Sequence, residues 1–270
     1  MRNSLRSCIK GLNSGNDTIL NAVYSSTQEG AFDVENVLLY NVGSNGFGHL
    51  CNNGLHFERR MVLPPEVQIE LMKPPMHYHL YSVVSKDTKF NYWKKGRNLA
   101  CWADIPCIPL RGEIKPHSIW CAMKNGFVEV NNDHPSLYGI QIKVKAPIGT
   151  TINLASIVKP VLDGIISSFH THNGSDIIEL SERLAKLLGE NEQTMEKMLM
   201  DTQMNILGKR NLLHKFGQNI QWNPADNTCV TADILFDNSK EDGGWFLSGE
   251  LFKVEQSDKK NDVQKQNLLY

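Results

Sequence analysis

Three observations predict an α+β fold with mixed or antiparallel β-sheets. Apolar and polar residues alternate, as in half-buried strands, along residues 76–84, 117–123 and 138–146. From Ser156 to His170 the apolar residues instead recur with a helical period, which predicts an amphipathic helix. Alternation then returns in two segments joined by a turn, which predicts a closing β-hairpin of residues 228–236 and 245–254.

The remaining elements follow from local signals. Residues 18–26 have the composition of a short helix, and the apolar run at 36–42 predicts a buried strand. Ser156 is the expected N-cap of the central helix, which places Pro160 in the first turn, where its missing N–H costs little. A glycine follows each of two further predicted helices, residues 177–188 and 191–207.

The turn-rich residues 131–136 are the expected boundary inside the chain. A β-rich N-terminal region, residues 1–135, would then precede an α+β domain, residues 136–255. The predicted helical pair forms an insertion at 175–215 within this domain. Residues 256–270 are expected to be a polar tail.

The composition is that of an ordinary globular protein, with 41% apolar residues and a formal net charge of −1. Such a charge gives no general attraction to nucleic acid, so a site of that kind must be a local patch. No apolar run is long enough to span a bilayer, which predicts no membrane association. The six cysteines form no C-x-x-C pair, and we expect reduced thiols and a cytoplasmic location.

Polar residues follow one edge of the central helix. Lys159, Asp163, Ser167 and His170 are spaced by four, four and three positions, so they share one face. A solvent-facing stripe with one Lys–Asp pair is one explanation of this spacing. The order of the surrounding elements favours a functional role instead.

That order begins with a strand and the helix segment KPVLDGI, and continues with the turn WNPADNTCV and the predicted hairpin. Over residues 137–254 this succession resembles the RusA-type Holliday-junction resolvases. Their pattern is a strand, a D-x-D-N loop, a K-P-x-x-D-A/G helix, a W-x-D-D-type turn and a hairpin. The resemblance implies a RusA-like strand–helix–hairpin core and a dimeric nuclease that acts on branched DNA.

Residue by residue, the resemblance implies catalytic roles for Lys159, Asp163 and Asp226. It also implies Mg²⁺ or another divalent metal as cofactor, held by Asp226 and Asp163. The two acids of the D-x-D-N loop should fall at Asn153 and Ala155, and neither is acidic. Since the metal activates water and neutralises charge, this departure predicts lost or altered nuclease activity. An acid from elsewhere in the chain, such as Asp104 or Glu113, is a candidate to replace Asn153.

Histidines suggest an alternative metal site. His77 and His79 are two residues apart on a predicted strand, so both side chains point to one face, as Zn²⁺ or Mn²⁺ ligands do. With His170 and an aspartate they would complete a His/carboxylate centre. A half-exposed strand and a helix end explain the same residues without a metal.

One segment combines basic and aromatic residues, as nucleic-acid contacts do. Its candidate contact residues are Lys89, Tyr92, Trp93, Lys94, Lys95 and Arg97. Phe90 belongs to the same segment. A solvated loop with partly buried aromatics is the alternative explanation.

Three functions therefore stay open at the level of sequence. The first is a RusA-like protein that binds structured or branched DNA or RNA, with lost or altered nuclease activity, as a subunit of a larger assembly or as a homodimer. The second is a metal-dependent phosphodiesterase or nuclease that uses the His/Asp site. The third is a protein-interaction module without catalysis.

Overall fold

A computed structural model describes residues 2–26, 33–40, 42–62, 77–240 and 243–256. The helices of these ranges are α1 (Arg2–Lys10), α2 (Pro116–Asn125), α3 (Leu154–Ser168), α4 (Ile177–Leu188) and α5 (Glu192–Met200). The strands are β1 (Thr18–Ser26), β2 (Gly54–Arg60), β3 (His77–Ser85), β4 (Trp93–Cys107), β5 (Val128–Val130), β6 (Tyr138–Pro147), β7 (Thr171–His172), β8 (Lys209–Arg210), β9 (Leu213–Phe216), β10 (Asn219–Trp222), β11 (Cys229–Lys240) and β12 (Trp245–Gln256). The fold is therefore α+β, as predicted.

The main feature is a mixed eight-stranded sheet in the order β3-β1-β2-β11-β6-β12-β4-β5. The β1–β2 and β11–β6 pairs are parallel, and the other neighbours are antiparallel. Strands from before residues 131–136 (β1–β5) and from after them (β6, β11 and β12) thus belong to one sheet. The polar tail predicted at 256–270 lies outside the described residues except for its first position.

The core lies between one face of this sheet and helices α2 and α3. On β6, Ile140, Ile142 and Val144 point into this core, whereas Gln141 and Lys143 point to the opposite face. Helix α3 is buried over most of its surface, since the sheet, α2 and the 3₁₀ segment Ser44–Leu50 surround it.

Two residues of α3 account for its contacts with α2 and with Tyr40. A Cβ at Gly164 would lie 2.5 Å from Ile119 Cβ and 2.7 Å from the Pro116 carbonyl, so glycine permits the close contact with α2. Pro160 lacks an N–H, which leaves the Ser156 carbonyl without its usual helical partner. The Tyr40 hydroxyl donates a hydrogen bond to that carbonyl instead, at 3.3 Å.

Several predicted elements are wrong. Residues 18–26 form strand β1 rather than a helix, because their backbone pairs with β2 on one side and with β3 on the other. Residues 36–40 form a π-helical turn rather than a strand, and residues 117–123 lie in α2. The helix predicted at 191–207 ends at Met200.

Two further corrections concern the central helix and the hairpin. Helix α3 begins at Leu154 with Asn153 as its N-cap, so Ser156 is inside the helix and Pro160 lies in the second turn. The segments predicted as a hairpin, β11 and β12, are not paired, because β6 lies between them in the sheet.

The predicted helical pair, α4 and α5, forms a smaller core with Trp120, Leu213 and neighbouring residues. None of the helices in the described ranges is both long and apolar enough to span a bilayer. The six cysteines are free thiols.

Candidate functional site

The central feature of the site is one ammonium group surrounded by four carboxyl groups. Lys159 Nζ lies 3.0 Å from Asp33 Oδ2, 3.0 Å from Glu35 Oε1, 3.1 Å from Asp163 Oδ1 and 3.2 Å from Asp226 Oδ2. We call these five residues the acidic cluster. They come from three parts of the chain that only the fold brings together.

Helix α3 supplies Lys159 and Asp163. They are one helical turn apart and so project from the same face. Asp163 is 9% exposed and is followed by Gly164, where α2 approaches α3. The helix therefore holds the Asp163 carboxyl group at the boundary between the core and the site.

The segment before the π-helical turn Asn36–Tyr40 supplies Asp33 and Glu35. Asp33 caps this turn, because its Oδ1 accepts a hydrogen bond from the Asn36 N–H and its carbonyl accepts one from the Val37 N–H. Leu38 is fully buried, and its carbonyl accepts a hydrogen bond from the Tyr81 hydroxyl at 2.6 Å. These contacts fix the turn and leave Glu35 only 2% exposed beside Lys159.

The 3₁₀ turn Asp226–Thr228 supplies the last acid. The preceding residue, Ala225, donates its N–H to His170 Nε2 at 3.1 Å, and its carbonyl accepts from the Tyr138 hydroxyl at 2.9 Å. His170 Nδ1 in turn donates to the Gly208 carbonyl at 2.9 Å. His170 is 1% exposed and burial lowers its pKa to about 4, so a neutral imidazole holds the turn that carries Asp226.

The pKa shifts show how the acidic cluster shares protons. Burial, and then the hydrogen bond to Asp33, raise the pKa of Glu35 well above its ordinary value. Burial acts in the same direction on Asp33, but the hydrogen bond from Glu35 and the charge of Lys159 outweigh it and lower the pKa of Asp33. A protonated Glu35 that donates to an ionised Asp33 accounts for both directions.

The pKa values of the other members of the cluster also depend on burial and on neighbouring charges. Burial raises the pKa of Asp163 to about 6, and burial together with the charge of Asp33 raises that of Asp226. Burial disfavours the charged form of Lys159, yet the carboxylates, Glu35 first, outweigh it and raise its pKa. Lys159 therefore stays an ammonium at any physiological pH.

The cluster carries excess negative charge. Even with Glu35 protonated, three carboxylates face one ammonium, so a second positive charge is electrostatically favoured. The carboxylate oxygens of Asp33, Glu35 and Asp226 lie within 4.8 Å of one another, and these three residues could hold a metal ion. A cation there would favour the ionised form of Glu35, which burial disfavours.

The two acids suggested as replacements for Asn153 pair with other lysines than Lys159. Asp104 is ion-paired with Lys145, and Glu113 is exposed and paired with Lys115. Asn153 caps α3, and Ala155 is buried in the core. The two acids of the cluster that precede α3 in the chain, Asp33 and Glu35, were not predicted from the sequence.

A signal for these two residues was nevertheless present. Residues 33–36 read D-V-E-N, which has the acid-x-acid-Asn spacing that the RusA-type pattern places before the helix. In this chain the tetrapeptide precedes Lys159 by more than a hundred residues. The acids of this pattern were expected immediately before the helix, so the tetrapeptide was not predicted to belong to the site.

The histidines proposed as metal ligands lie outside this group of three carboxylates. His77 Nδ1 is 2.7 Å from the Tyr24 hydroxyl, and the His79 ring packs edge-on against Tyr24. Both ring nitrogens of His170 bond to the backbone. His170 therefore holds the turn that carries Asp226 in place.

In the basic and aromatic segment, two aromatic side chains are buried and the basic side chains are exposed. Tyr92 and Trp93 are each 8% exposed and are hydrogen-bonded, Tyr92 by the Met61 N–H and Trp93 through its Nε1 to the Arg59 carbonyl. Their ring faces are therefore not available to stack on a base. Four basic residues of the segment are exposed: Lys89, Lys94, Lys95 and Arg97.

Comparison with known proteins gives no relative for this chain. No protein-family model, no curated protein and no solved structure matches it.

Proposed function

We propose that the protein is a divalent-metal-dependent phosphodiesterase that cleaves nucleic acid at the acidic cluster. The observation that carries this proposal is the close grouping of the Asp33, Glu35 and Asp226 carboxylates around Lys159. Mg²⁺ and Mn²⁺ fit the donor set best, because both ions prefer carboxylate oxygens. The D-V-E-N spacing at residues 33–36 supports the same metal site, because it matches the acid-x-acid-Asn spacing of the RusA-type pattern.

The surroundings of the cluster favour a phosphate-bearing substrate. A cavity of about 740 Å³ lies elsewhere, but one of about 670 Å³ adjoins the cluster at Tyr40 and is lined by Arg6, Lys10 and His49. Tyr40 connects the two sites, since it lines the cavity and lies close enough to Lys159 for that charge to act on its hydroxyl, whose pKa burial raises to about 12. A negatively charged cluster alone would repel nucleic acid, and these basic residues offset that repulsion.

The side chains have distinct roles in this proposal. Asp33, Glu35 and Asp226 would hold the metal, which neutralises developing charge on the phosphate and lowers the pKa of bound water. Lys159 supplies a permanent positive charge beside the scissile phosphate. Asp163, whose pKa is about 6, can accept a proton near neutral pH.

The direct test is cleavage of labelled DNA substrates, a four-way junction and a linear single strand, in the presence of Mg²⁺ or Mn²⁺. We expect cleavage that needs the metal and that falls by about a hundredfold or more in Asp226→Asn. Glu113→Gln is the matched control, because it removes one carboxylate that is 81% exposed and pairs with Lys115 rather than with Lys159.

Equal cleavage by the Asp226→Asn variant would refute the assignment of the site. Binding of the junction without any cleavage would instead support the non-catalytic function expected from Asn153 and Ala155. A preference for the junction over the linear strand would favour the branched substrate that the resemblance implies.

A further inference from the structure

A groove lies on the sheet face opposite α3. Two cavities, of about 740 and 680 Å³, share Phe90, Asn91, Gln141 and Asp233 in their linings, so they form one continuous depression. We call it the open-face groove. Gln141 points to this face, whereas Tyr138 on the same strand points to the Asp226 turn, so the groove and the acidic cluster lie on opposite faces.

Lysines give the groove a positive rim. Five line the two cavities: Lys86, Lys89, Lys94, Lys95 and Lys143. Lys89 and Lys94 are exposed and have no ion-pair partner within the described ranges of the chain. Their charge is therefore available to a ligand.

The acids of the groove are already neutralised by neighbouring side chains. Asp233 Oδ1 lies 2.6 Å from His56 Nδ1, Glu58 Oε1 lies 2.5 Å from Arg60 Nη2, and Glu250 is paired with Lys95. The groove thus presents net positive charge, which is complementary to phosphate groups.

Phe90 provides a flat apolar surface between the two cavities. One face of its ring stacks on His56, with ring centroids 3.5 Å apart and planes 4° apart. His56 is 1% exposed and held by Asp233, so it fixes the orientation of Phe90. Phe90 is half-buried and lines both cavities, which leaves part of its ring open to a ligand.

We propose that the open-face groove binds single-stranded nucleic acid, with phosphates at Lys89 and Lys94 and a base stacked on Phe90. Positive charge beside an aromatic ring is the combination that binds single strands with little sequence preference. A single strand fits better than a duplex, because a duplex hides its base faces. It also fits better than a mononucleotide, because the groove continues on both sides of Phe90.

The test is fluorescence anisotropy of a labelled thymidine oligonucleotide of about 15 residues, a length that covers one typical single-strand site. The Asp226→Asn protein is used in EDTA, so that neither metal nor cleavage contributes. We expect Lys89→Glu with Lys94→Glu to weaken binding by about tenfold or more and to reduce its salt dependence. Phe90→Leu should weaken binding by about tenfold through lost stacking.

Lys186→Glu with Lys197→Glu is the matched control, since it makes the same charge change at exposed positions of α4 and α5. We expect this control to bind like the parent protein. Equal weakening by both double variants would overturn the proposal, because it would show a general charge effect. Equal affinity for a blunt duplex, or competition by thymidine monophosphate at the same concentration as the oligonucleotide, would also overturn it.

The test separates this proposal from the proposed function. Loss of oligonucleotide binding in the groove variants, with retained metal affinity, locates the strand at the groove. Metal-dependent cleavage is measured at the other face, and its absence would not affect oligonucleotide binding in EDTA.

Discussion

Lys159 allows four carboxyl groups to be buried together. Each would otherwise lose hydration and repel the others, which is costly in the protein interior. The ammonium donates to all four, at 3.0 to 3.2 Å, while burial raises the pKa of Glu35 well above its ordinary value and so favours its uncharged form. What remains is an excess of negative charge, and this excess is the chemical basis of the proposed metal site.

The role of His170 can be separated from its contribution to folding. His170→Gln removes the hydrogen bonds that hold the Asp226 turn, so we expect metal affinity to fall by about tenfold, as for other residues that orient a ligand. Isothermal titration with Mn²⁺ measures this affinity.

His172→Gln is the control, because His172 is also buried and also bonds to the backbone, at Ser175 and Leu212. Both variants should lose stability, but the His172 variant should keep its metal affinity. Similar loss of affinity in both would show that His170 acts only through stability.

The His56–Asp233 pair predicts a pH-dependent contribution to stability. Burial disfavours the His56 cation, but its hydrogen bond to Asp233 and the negative charge of Glu58, 3.7 Å away, outweigh burial and raise the His56 pKa above 6.5. The same pairing overcomes burial and lowers the Asp233 pKa below 3.8. The contribution of His56 is complete below pH 6.5 and is lost as the pH rises through its folded pKa. The contribution of Asp233 is present above pH 3.8 and is lost in stronger acid.

Asp233→Asn should therefore reduce the free energy of unfolding by about 2 kcal/mol at pH 5, and by less at pH 8. Urea unfolding at the two pH values measures the difference. Asp87→Asn, at an exposed turn, should have little effect at either pH. A larger loss at pH 8 than at pH 5 would contradict the assigned ion pair.

At the scale of elements, the contact between α2 and α3 determines where Asp163 lies. Gly164→Ala would place its methyl group 2.5 Å from Ile119 Cβ, so we expect the overpacking to cost about 1–3 kcal/mol despite the better helix propensity of alanine. Urea denaturation measures this cost.

Gly46→Ala is the control for this substitution, because a Cβ there meets no atom within 4 Å. A Gly164→Ala variant as stable as the wild type would show that the two helices can separate without loss.

The elements differed in how far the sequence could predict them. The long helical period of α3 was identified correctly, since such a period is unambiguous over four turns. Residues 36–40 and 117–123 were assigned as strands because short apolar runs fit either structure. Pro116, at the first position of α2, was the local signal for a helix there.

At the scale of the whole molecule, the acidic cluster depends on contacts between distant parts of the chain. Lys159 is separated from Asp33 by 126 residues and from Asp226 by 67. The order of helix and turn motifs was enough to pair Lys159 with Asp226. No local pattern places the D-V-E-N segment beside α3, because that contact results from the topology of the entire sheet.

The sheet also separates two chemically different faces. Its covered face carries the acidic cluster, whose excess charge is negative, and its open face carries the lysine-rimmed groove. Alternation of side chains along strands such as β6 produces this separation. A change on one face should therefore leave the other face intact.

The most direct measurement is isothermal titration of the wild-type protein with Mn²⁺ in the absence of nucleic acid. We expect saturable binding at the acidic cluster, at least about tenfold weaker in Asp226→Asn and unchanged in Glu113→Gln. No binding by the wild type, or equal binding by the wild type and Asp226→Asn, would contradict the assignment of Asp33, Glu35 and Asp226 as metal ligands.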